Sequence, residues 1–433
     1  MKTGTFVRVC EVVGLERVIL HCDANSYYAS VECLYTPSIR HLPVAVGGDV
    51  NARHGIILTK NQLAKSYGVK TGEAIWQAKE KCPGLVCVPP DFPLYVRFSR
   101  KMRRIYEQYA PRVESFGLDE VWIDLSGPGV TLREGARVAD EIRRRVREEL
   151  GITISVGVAD NKIFAKLGSD MKKPDAVTVV SPKDYERMVY PLPVGDLLFV
   201  GPSTRRRLAA LGILTIGDLA RCDEAVLERL LGKNGLTLRT YARGQDRSPV
   251  MPADHREAAK SVGNSTTPPR DLENMDDARC LYYLLAESVA ARLRKGGFRA
   301  RCVSISARSA QLVTRSCQAV LSRPSNLTDE IARAAMDLFA QRFAGGFPYR
   351  SVGLTCTMLS ADDEPVQLDF TGDELRRLRM ERLERSIDGL RNRYGHQIVT
   401  RGIVLFDRGY ASVNPVRDHT VHPVPFYTGK EGG

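Results

Sequence analysis

The sequence lacks the cysteine spacing that marks two common classes of small domain. It has ten cysteines but no Cys-x-x-Cys pair, and several of them, such as Cys22 and Cys302, lie within apolar stretches. Disulfide frameworks and zinc modules usually show paired or regularly spaced cysteines. We therefore expect reduced thiols rather than disulfides or a zinc site.

Long apolar runs are also missing. No stretch approaches the roughly 20 apolar residues that cross a bilayer, and the first residues have no apolar signal-peptide core. We therefore expect a cytoplasmic protein without membrane spans.

What the chain does have is length and positive charge. Its 433 residues are enough for several domains, each with its own core. The formal charge of +12 favours a polyanionic partner, although basic charge alone could equally serve solubility or a membrane surface.

The first candidate site follows an apolar run that begins at Val18. The run reads as a buried strand and ends in Asp23, and Asn25 and Ser26 are residue types that cap a following helix. A carboxylate at the end of a core strand is costly unless a cation or a donor meets it. Taken alone, Asp23 is more often a helix cap than a ligand.

A second pair of acids makes the stronger signal. Asp119 and Glu120 stand between two short apolar strands, and they can converge if Gly117 and Leu118 turn the chain beside them. Such a hairpin tip, laid beside the strand that carries Asp23, gives an all-oxygen pocket. Pockets of this kind suit Mg²⁺, which keeps open positions for water and phosphate oxygens.

Three sequence blocks carry a family resemblance. Asp23–Glu32, Gly117–Asp124 and Asn161–Pro174 resemble the signature blocks of Y-family translesion DNA polymerases, of the DNA polymerase IV type, in the family's order. The resemblance extends from about Val18 to about Ser360. It implies an α+β right-hand polymerase with a ferredoxin-like palm, small fingers, a helix-hairpin-helix thumb and a βαββαβ little finger.

The resemblance also implies domain boundaries. The predicted parts are a palm (1–26 and 91–180), fingers (27–90), a thumb (181–246), a linker (247–258), a little finger (259–360) and a C-terminal tail (361–433).

In the catalytic centre, the resemblance implies two Mg²⁺ ions, for which Mn²⁺ can substitute. Asp23, Asp119, Glu120 and the Ala24 carbonyl are the expected ligands, and the expected reaction is transfer of a nucleotide from a dNTP to a primer 3′-hydroxyl. The resemblance further implies low fidelity and synthesis past damaged bases. No separate carboxylate cluster indicates a proofreading exonuclease.

The same resemblance assigns a nucleotide pocket. Tyr28 is the expected steric gate against a 2′-hydroxyl, whereas neighbouring Tyr27 points elsewhere because adjacent helical residues diverge by about 100°. The remaining nucleotide-binding residues are Thr59, Gln62, Lys65 and Lys173. The family usually has Tyr and Arg where this chain has Gln62 and Lys65, and a solvated helix face is the alternative for both.

Two further lysines share one face of a predicted helix. Lys162 and Lys166 are expected either to contact primer phosphate or to face solvent, and the second interpretation is favoured.

Contacts with primer-template DNA are expected from the thumb and the little finger. A Gly-containing turn can present backbone N–H groups to phosphates without reading sequence. The candidate residues are Gly201, Arg205 and Arg206 in the thumb, and Arg299, Arg301, Arg308 and Arg315 in the little finger.

The tail contains two candidate interaction elements. Residues 365–370 resemble a shortened sliding-clamp peptide with Gln367, Leu368 and Phe370 as its anchors, one residue short of the usual pattern. A charged helix over 374–394 carries an apolar stripe that either docking on the body or partner binding would explain. Residues 401–433 give no functional signal.

Two other functions fit parts of the pattern. The acidic centre could serve another two-metal reaction such as nucleotide cyclisation, or the chain could be a non-catalytic DNA-binding or clamp-bound recruitment factor. The thumb and little-finger patterns disfavour the first function and the intact acids disfavour the second. We expect a monomeric polymerase.

Overall fold

The structure is a computed structural model that describes residues 16–48, 55–255, 258–363 and 372–403. The chain divides into two compact units, the first built mainly from Met1–Val46 and Ile57–Arg256 and the second mainly from Glu257–His422. The finer palm, fingers and thumb boundaries stay predictions.

The first unit contains eight strands and ten α-helices in its described residues. The strands are β1 (Ile19–Ala24), β2 (Val44–Gly47), β3 (Ile57–Lys60), β4 (Val86–Val88), β5 (Val113–Ser115), β6 (Glu120–Asp124), β7 (Ile154–Ala159) and β8 (Val177–Val180). The helices are α1 (Tyr27–Tyr35), α2 (Gln62–Ser66), α3 (Ile75–Lys81), α4 (Phe92–Tyr106), α5 (Leu132–Leu150), α6 (Lys162–Met171), α7 (Pro202–Ala209), α8 (Ile216–Arg221), α9 (Glu224–Leu231) and α10 (Lys233–Ala242).

A five-stranded sheet organises this unit, with the order β5-β6-β1-β7-β8. Strand β1 lies in the middle, antiparallel to both β6 and β7, and every one of its residues is buried. This explains why the sequence there is a continuous apolar run, because helices cover both faces of the sheet. The predicted α+β class is confirmed.

The start of α1 differs from the expectation drawn from its residue types. Neither Asn25 nor Ser26 caps the helix through its side chain, and Ser26 takes a left-handed conformation with φ of 49°. The Asn25 amide instead donates to Ser155 Oγ at 2.9 Å and accepts from the Asp175 backbone N–H at 2.9 Å. Asn25 therefore ties the end of β1 to β7 and to the turn after α6.

Two smaller parts complete the first unit. A three-stranded sheet of order β3-β2-β4 packs with α2 and α3 around its own core, which includes Ala45, Ile57 and Ile75. Helices α7 to α10 form the part where a thumb is predicted, and α7 begins at Pro202 with Gly201 as its N-cap.

The second unit has the predicted βαββαβ order. Its described elements are β9 (Ser261–Thr266), α11 (Met275–Gly296), β10 (Phe298–Ser309), β11 (Thr314–Ser325), α12 (Thr328–Arg342), β12 (Tyr349–Ala361) and α13 (Asp373–Tyr394). The four strands are all antiparallel in the order β11-β10-β12-β9, and α11 and α12 pack on one face around a core that includes Leu285 and Phe339. This sheet fits the predicted little finger.

Helix α13 docks on this unit through buried charged residues, while two leucines of its apolar stripe stay exposed. Leu375 and Leu383 are 52% and 51% exposed, whereas Glu374 and Glu384 are buried. The Glu384 carboxylate accepts from the Thr328 backbone N–H at 3.1 Å and pairs with Arg294 of α11. These two leucines therefore do not hold the helix on the unit, and docking and partner binding both stay predictions for the stripe as a whole.

The described helices and cysteines bear on the two exclusions drawn from the sequence. None of the described helices has both the length and the apolar character to cross a bilayer. Every cysteine in the described ranges is a free thiol.

Candidate active site

The register of β1 and β6 brings two of the acidic residues together. Asp23 is the direct cross-strand partner of Glu120, and the Ala24 backbone N–H donates to the Asp119 carbonyl at 3.0 Å. Asp119 immediately precedes β6, so all three acids lie where β1 ends and β6 begins, at one end of this pair of strands. Two parts of the chain about a hundred residues apart in sequence thus supply one acidic cluster.

The turn before β6 makes this placement possible. Gly117 has a φ of 89°, a left-handed value that a side chain would disfavour. The Phe116 N–H donates to the Glu120 carbonyl at 2.8 Å and closes the hairpin. Asp119 therefore sits at the tip of the turn, while Glu120 begins the strand beside Asp23.

Two lysines neutralise part of this cluster. The Lys166 ammonium lies 3.0 Å from Asp23 Oδ2 and 2.6 Å from Glu120 Oε2. The Lys173 ammonium lies 2.8 Å from the same Asp23 oxygen and 2.8 Å from Asp170 Oδ1. Of the residues predicted from the sequence, Lys173 is thus in direct contact with the acids.

The favoured prediction for Lys162 and Lys166, that they face solvent, is wrong. Their side chains are only 11% and 14% exposed. Lys162 lies 2.7 Å from both carboxylate oxygens of Glu114 and 4.4 Å from the centre of the Trp122 ring. A buried ammonium needs such partners, and both lysines find them within the protein.

Sequence reasoning also missed His21. This residue is fully buried, with Nε2 at 3.1 Å from Glu120 Oε2 and Nδ1 at 2.9 Å from Ser169 Oγ. The Ser169 hydroxyl in turn donates to the Lys166 carbonyl at 2.7 Å. The signal was present, because residues two apart on a strand share a face and His21 precedes Asp23 by two.

The electrostatic states of the acids differ. Burial, with the charges of Glu120 and Asp23 as the next causes, raises the pKa of Asp119 to about 7. Burial also opposes ionisation of Glu120, but the contact with His21 and the charge of Lys166 outweigh it and lower the pKa to about 2. Glu120 is thus held ionised, whereas Asp119 has no comparable compensation.

These donors fit a hard divalent cation. Within the described ranges, no three His, Cys, Asp or Glu side chains already surround one ion position, and the Lys166 ammonium lies between two of the acids. Burial of the Asp119 carboxylate outweighs the compensation that a backbone N–H and the charge of Lys166 provide. Carboxylate and carbonyl oxygens with uncompensated charge suit Mg²⁺ or Mn²⁺.

Tyr28 is held beside this cluster by aromatic contacts. Its ring stacks on Tyr95 with 4.3 Å between centroids and meets Phe92 edge-on at 5.9 Å. Burial, with the nearby charge of Asp119 as the second cause, raises the pKa of Tyr28 to about 12. Tyr27 is buried and donates to the Tyr95 carbonyl at 2.6 Å, so the two tyrosines face different surroundings.

The predicted fingers residues lie on β3 and α2, outside the acidic cluster. Thr59 is on β3, which packs against α1, and α2 begins at Gln62 with Asn61 as its cap. Gln62 and Lys65 are exposed. Neither contacts the three acids in the part of the chain that the structure describes.

The predicted DNA contacts fall into two groups. Arg205, Arg206, Arg301, Arg308 and Arg315 are exposed, as is Gly201 at the start of α7. Arg299 instead pairs with Glu381 of α13 at 3.0 Å, which favours a structural role over a free phosphate contact. The clamp-peptide residues Gln367, Leu368 and Phe370 lie outside the described residues.

Comparisons with known proteins agree with this geometry. Residues 22–170 match the impB/mucB/samB family, and residues 259–370 match the C-terminal domain of that family. A DNA polymerase IV of Acetivibrio thermocellus is 49% identical over 395 residues, which cover 91% of this chain and 99% of the relative. DNA polymerase IV 1 of Bacillus subtilis is 37% identical over 394 residues, or 90% of this chain and 94% of the relative.

A solved structure shows a similar fold. A Y-family DNA polymerase chimera matches with a TM-score of 0.70 at 23% identity, over 79% of this chain and 99% of the chimera. The extent of the sequence matches is the stronger observation, because they cover both units and nearly the full length of the relatives. The chain therefore belongs to the Y-family of DNA polymerases, in its DNA polymerase IV group, and is a DNA-directed DNA polymerase.

Proposed function

We propose that this polymerase extends primers past damaged template bases by a two-metal reaction and has no proofreading exonuclease. The observation that carries the proposal is the meeting of Asp23 and Glu120 across β1 and β6, with Asp119 at the adjoining turn. Family membership gives the coarser function, which is translesion DNA synthesis with a divalent metal, primer-template DNA and dNTPs.

The proposed metal ligands are the three carboxylates and one carbonyl. Asp23, Asp119, Glu120 and the Ala24 carbonyl would hold two Mg²⁺ ions, and Mn²⁺ would be accepted by the same oxygen donors. When bound, such ions supply Lewis-acid activation of a primer 3′-hydroxyl and offset the charge of the triphosphate. His21 positions Glu120 through the contact between His21 Nε2 and the carboxylate.

Positive side chains would bind the triphosphate. Lys173 is 25% exposed at its side chain, so its ammonium can reach a phosphate while staying close to Asp23. Lys65 would add a point charge without the fork geometry of an arginine, and Thr59 and Gln62 would contribute neutral contacts. The positive charges would offset the negative charge that builds up on the leaving pyrophosphate.

Tyr28 would select the sugar. The stacked Tyr95 ring and the edge of Phe92 limit the rotation of the Tyr28 side chain. A fixed ring beneath the sugar leaves no room for a 2′-hydroxyl, so ribonucleotides would be rejected by repulsion.

The proposed partners beyond the active site are the duplex and a clamp. Gly201, Arg205, Arg206, Arg301, Arg308 and Arg315 would contact DNA phosphates, and residues 365–370 would bind a sliding clamp. We also propose that the polymerase acts as a monomer.

Primer extension tests the proposal directly. The wild-type enzyme should extend a primer with dNTPs and Mg²⁺ on undamaged and abasic-site templates, and Asp119→Asn should bind the same duplex without extending it. A primer with a mismatched 3′ end should stay intact when dNTPs are omitted. Extension by Asp119→Asn, or trimming of the mismatched end, would contradict the proposal.

A further inference from the structure

Lys166 contacts three acids at once. Its ammonium lies 3.0 Å from Asp23, 2.6 Å from Glu120 and 3.3 Å from Asp170. Asp23 and Glu120 are two of the proposed metal ligands, so the lysine occupies the space between groups that a metal would also use. Asp170 lies one helical turn after Lys166 on α6 and is 47% exposed at its side chain.

The packing of α6 fixes this position. A Cβ at Gly157 of β7 would overlap the Ala165 carbonyl, and a Cβ at Gly168 of α6 would lie 3.2 Å from Gly157 Cα. The two glycines thus let the helix lie directly on the strand. Because Lys166 is on the side of α6 that faces β1, its ammonium is delivered to Asp23 by backbone packing.

The ammonium and a divalent ion are competitors for the same oxygens. The carboxylate oxygens that contact Lys166 are already turned towards a positive charge. A divalent ion at the same oxygens would lie close to the ammonium, and two positive charges at such separations repel strongly where water is excluded. Metal binding at Asp23 and Glu120 therefore requires that Lys166 withdraw by a few ångströms.

Asp170 gives the withdrawn ammonium an acceptor. It already contacts Lys166 and, at 2.8 Å, Lys173. A change of side-chain rotamer would let Lys166 keep Asp170 while it releases the two buried acids. The exposed position of Asp170 means that this second arrangement is partly solvated and does not bury an unpaired charge.

We propose that Lys166 is a placeholder cation, which holds Asp23 and Glu120 in position in the metal-free enzyme and moves to Asp170 when metal binds. Lys166 would be a positioning residue rather than a catalytic one. The inference rests on the proposed metal ligands, and it adds that metal affinity is set by competition with an internal cation.

Manganese binding to the DNA-free protein tests this inference without an activity assay. The Mn²⁺ dissociation constant is measured by electron paramagnetic resonance for the full chain. Lys166→Met should bind Mn²⁺ at least about fivefold more tightly than wild type, because the competitor is gone. Lys172→Met is the matched control, because Lys172 is exposed directly after α6. This substitution should leave the Mn²⁺ dissociation constant unchanged.

The role of Asp170 is tested by a double-mutant cycle. Asp170→Asn should weaken Mn²⁺ binding by about fivefold in the wild-type background, because Lys166 then has no second acceptor. The same change should have little effect in the Lys166→Met background. If Asp170→Asn still weakened Mn²⁺ binding in the Lys166→Met background, the effect would act through Lys173. That result would overturn the role of Asp170 as the second acceptor of Lys166.

Melting temperatures provide a second readout. In EDTA, Lys166→Met should melt below wild type, because Asp23 and Glu120 lose their counter-ion, and added Mg²⁺ should remove much of that difference. Unchanged or weaker Mn²⁺ binding in a folded Lys166→Met protein would overturn the placeholder role. A failure of the metal site itself would look different, because wild type would bind no Mn²⁺ or Asp119→Asn would bind it equally well.

Discussion

The Lys162 ammonium lies 2.7 Å from both carboxylate oxygens of Glu114, and Glu114 Oε2 also accepts from the Met251 N–H at 2.9 Å. One ion pair therefore joins the start of α6 to β5 and to the segment that follows the α10 region. Since Lys162 is also packed over Trp122, its charge is directed into the protein.

This pairing predicts a structural role for Lys162. Lys162→Met should lower the free energy of unfolding by about 1–3 kcal/mol, because Glu114 would stay half-buried without its cation. The salt dependence of duplex binding should not change, since no phosphate contact is lost. Calorimetry and binding titrations at several salt concentrations check both results, and a reduced salt dependence would identify Lys162 as a phosphate contact instead.

The close contact of α6 with β7 predicts that Gly157 cannot be enlarged. Gly157→Ala places a methyl group on the backbone at Ala165 and Ser169, which are not flexible side-chain ends. We expect a loss of about 3 kcal/mol of unfolding free energy and a lower kcat, because α6 also carries Lys166.

Gly84→Ala is the control for that change. Nothing lies within 4 Å of the added Cβ at Gly84, so stability and kcat should stay close to wild type. If Gly157→Ala were as stable and active as Gly84→Ala, the tight seating of α6 would not matter.

Asp119 predicts a pH-dependent difference in stability. Its folded pKa of about 7 lies above its ordinary value of 3.8, so folding favours the protonated acid. The stability that this preference contributes is full below about pH 4 and is lost as the pH rises through 7. In EDTA, the melting temperature of Asp119→Asn should therefore be close to that of wild type at pH 4. As the pH rises towards 7, it should exceed the wild-type value by a growing margin.

The same substitution should abolish activity while it raises metal-free stability. We expect Asp119→Asn to lower kcat by about 10³-fold, the loss typical of a main electrostatic group. Added Mg²⁺ at pH 8 should raise the melting temperature of wild type more than that of the variant. An equal Mg²⁺ effect on both proteins would remove Asp119 from the metal site.

The two neighbouring tyrosines predict different phenotypes. Tyr28→Ala should raise ribonucleotide incorporation relative to deoxyribonucleotide incorporation by about 100-fold, because the ring no longer fills the space beneath the sugar. Tyr27→Phe should leave this ratio unchanged. It should lower the free energy of unfolding by about 1 kcal/mol, because the hydrogen bond to the Tyr95 carbonyl is lost. The ratio of kcat/KM for matched nucleotide pairs measures the first effect, and an unchanged ratio would exclude Tyr28 as the gate.

Glu384 predicts how α13 is held. Its carboxylate meets the backbone N–H of Thr328 at the start of α12 and the guanidinium of Arg294. Glu384→Gln should destabilise the second unit by about 3 kcal/mol and speed amide exchange at the start of α12, since Arg294 keeps only part of its compensation.

Leu383 offers the adjacent control. Because Leu383 is half-exposed, Leu383→Ala should change the unfolding free energy by no more than about 0.5 kcal/mol. A larger loss for Leu383→Ala than for Glu384→Gln would mean that apolar packing, and not the ion pairs, holds the helix.

Local pattern was sufficient for much of the fold and for part of the site. The run that ends in Asp23 is apolar at consecutive positions, which favours a strand covered on both faces, and β1 is that strand. The βαββαβ order of the second unit follows in the same way from alternating strand and helix periods. The hairpin before Glu120 could be predicted because a glycine and two acids interrupt the apolar strands. The positive φ of Gly117 in the structure agrees with that turn.

Tertiary structure alone decided which partners the charged residues meet. Helical spacing shows that Lys162 and Lys166 share a face, but it cannot tell whether that face meets solvent, DNA or the acids of another strand. The answer came from Gly157 and Gly168, which seat α6 against β7 and carry both ammonium groups into the protein. Helix α13 shows the same limit, because its leucine stripe left docking and partner binding open, while Glu384 found its partners on α11 and α12. A sequence period defines the faces of an element, whereas the energy of burying a charge depends on what the opposite surface offers.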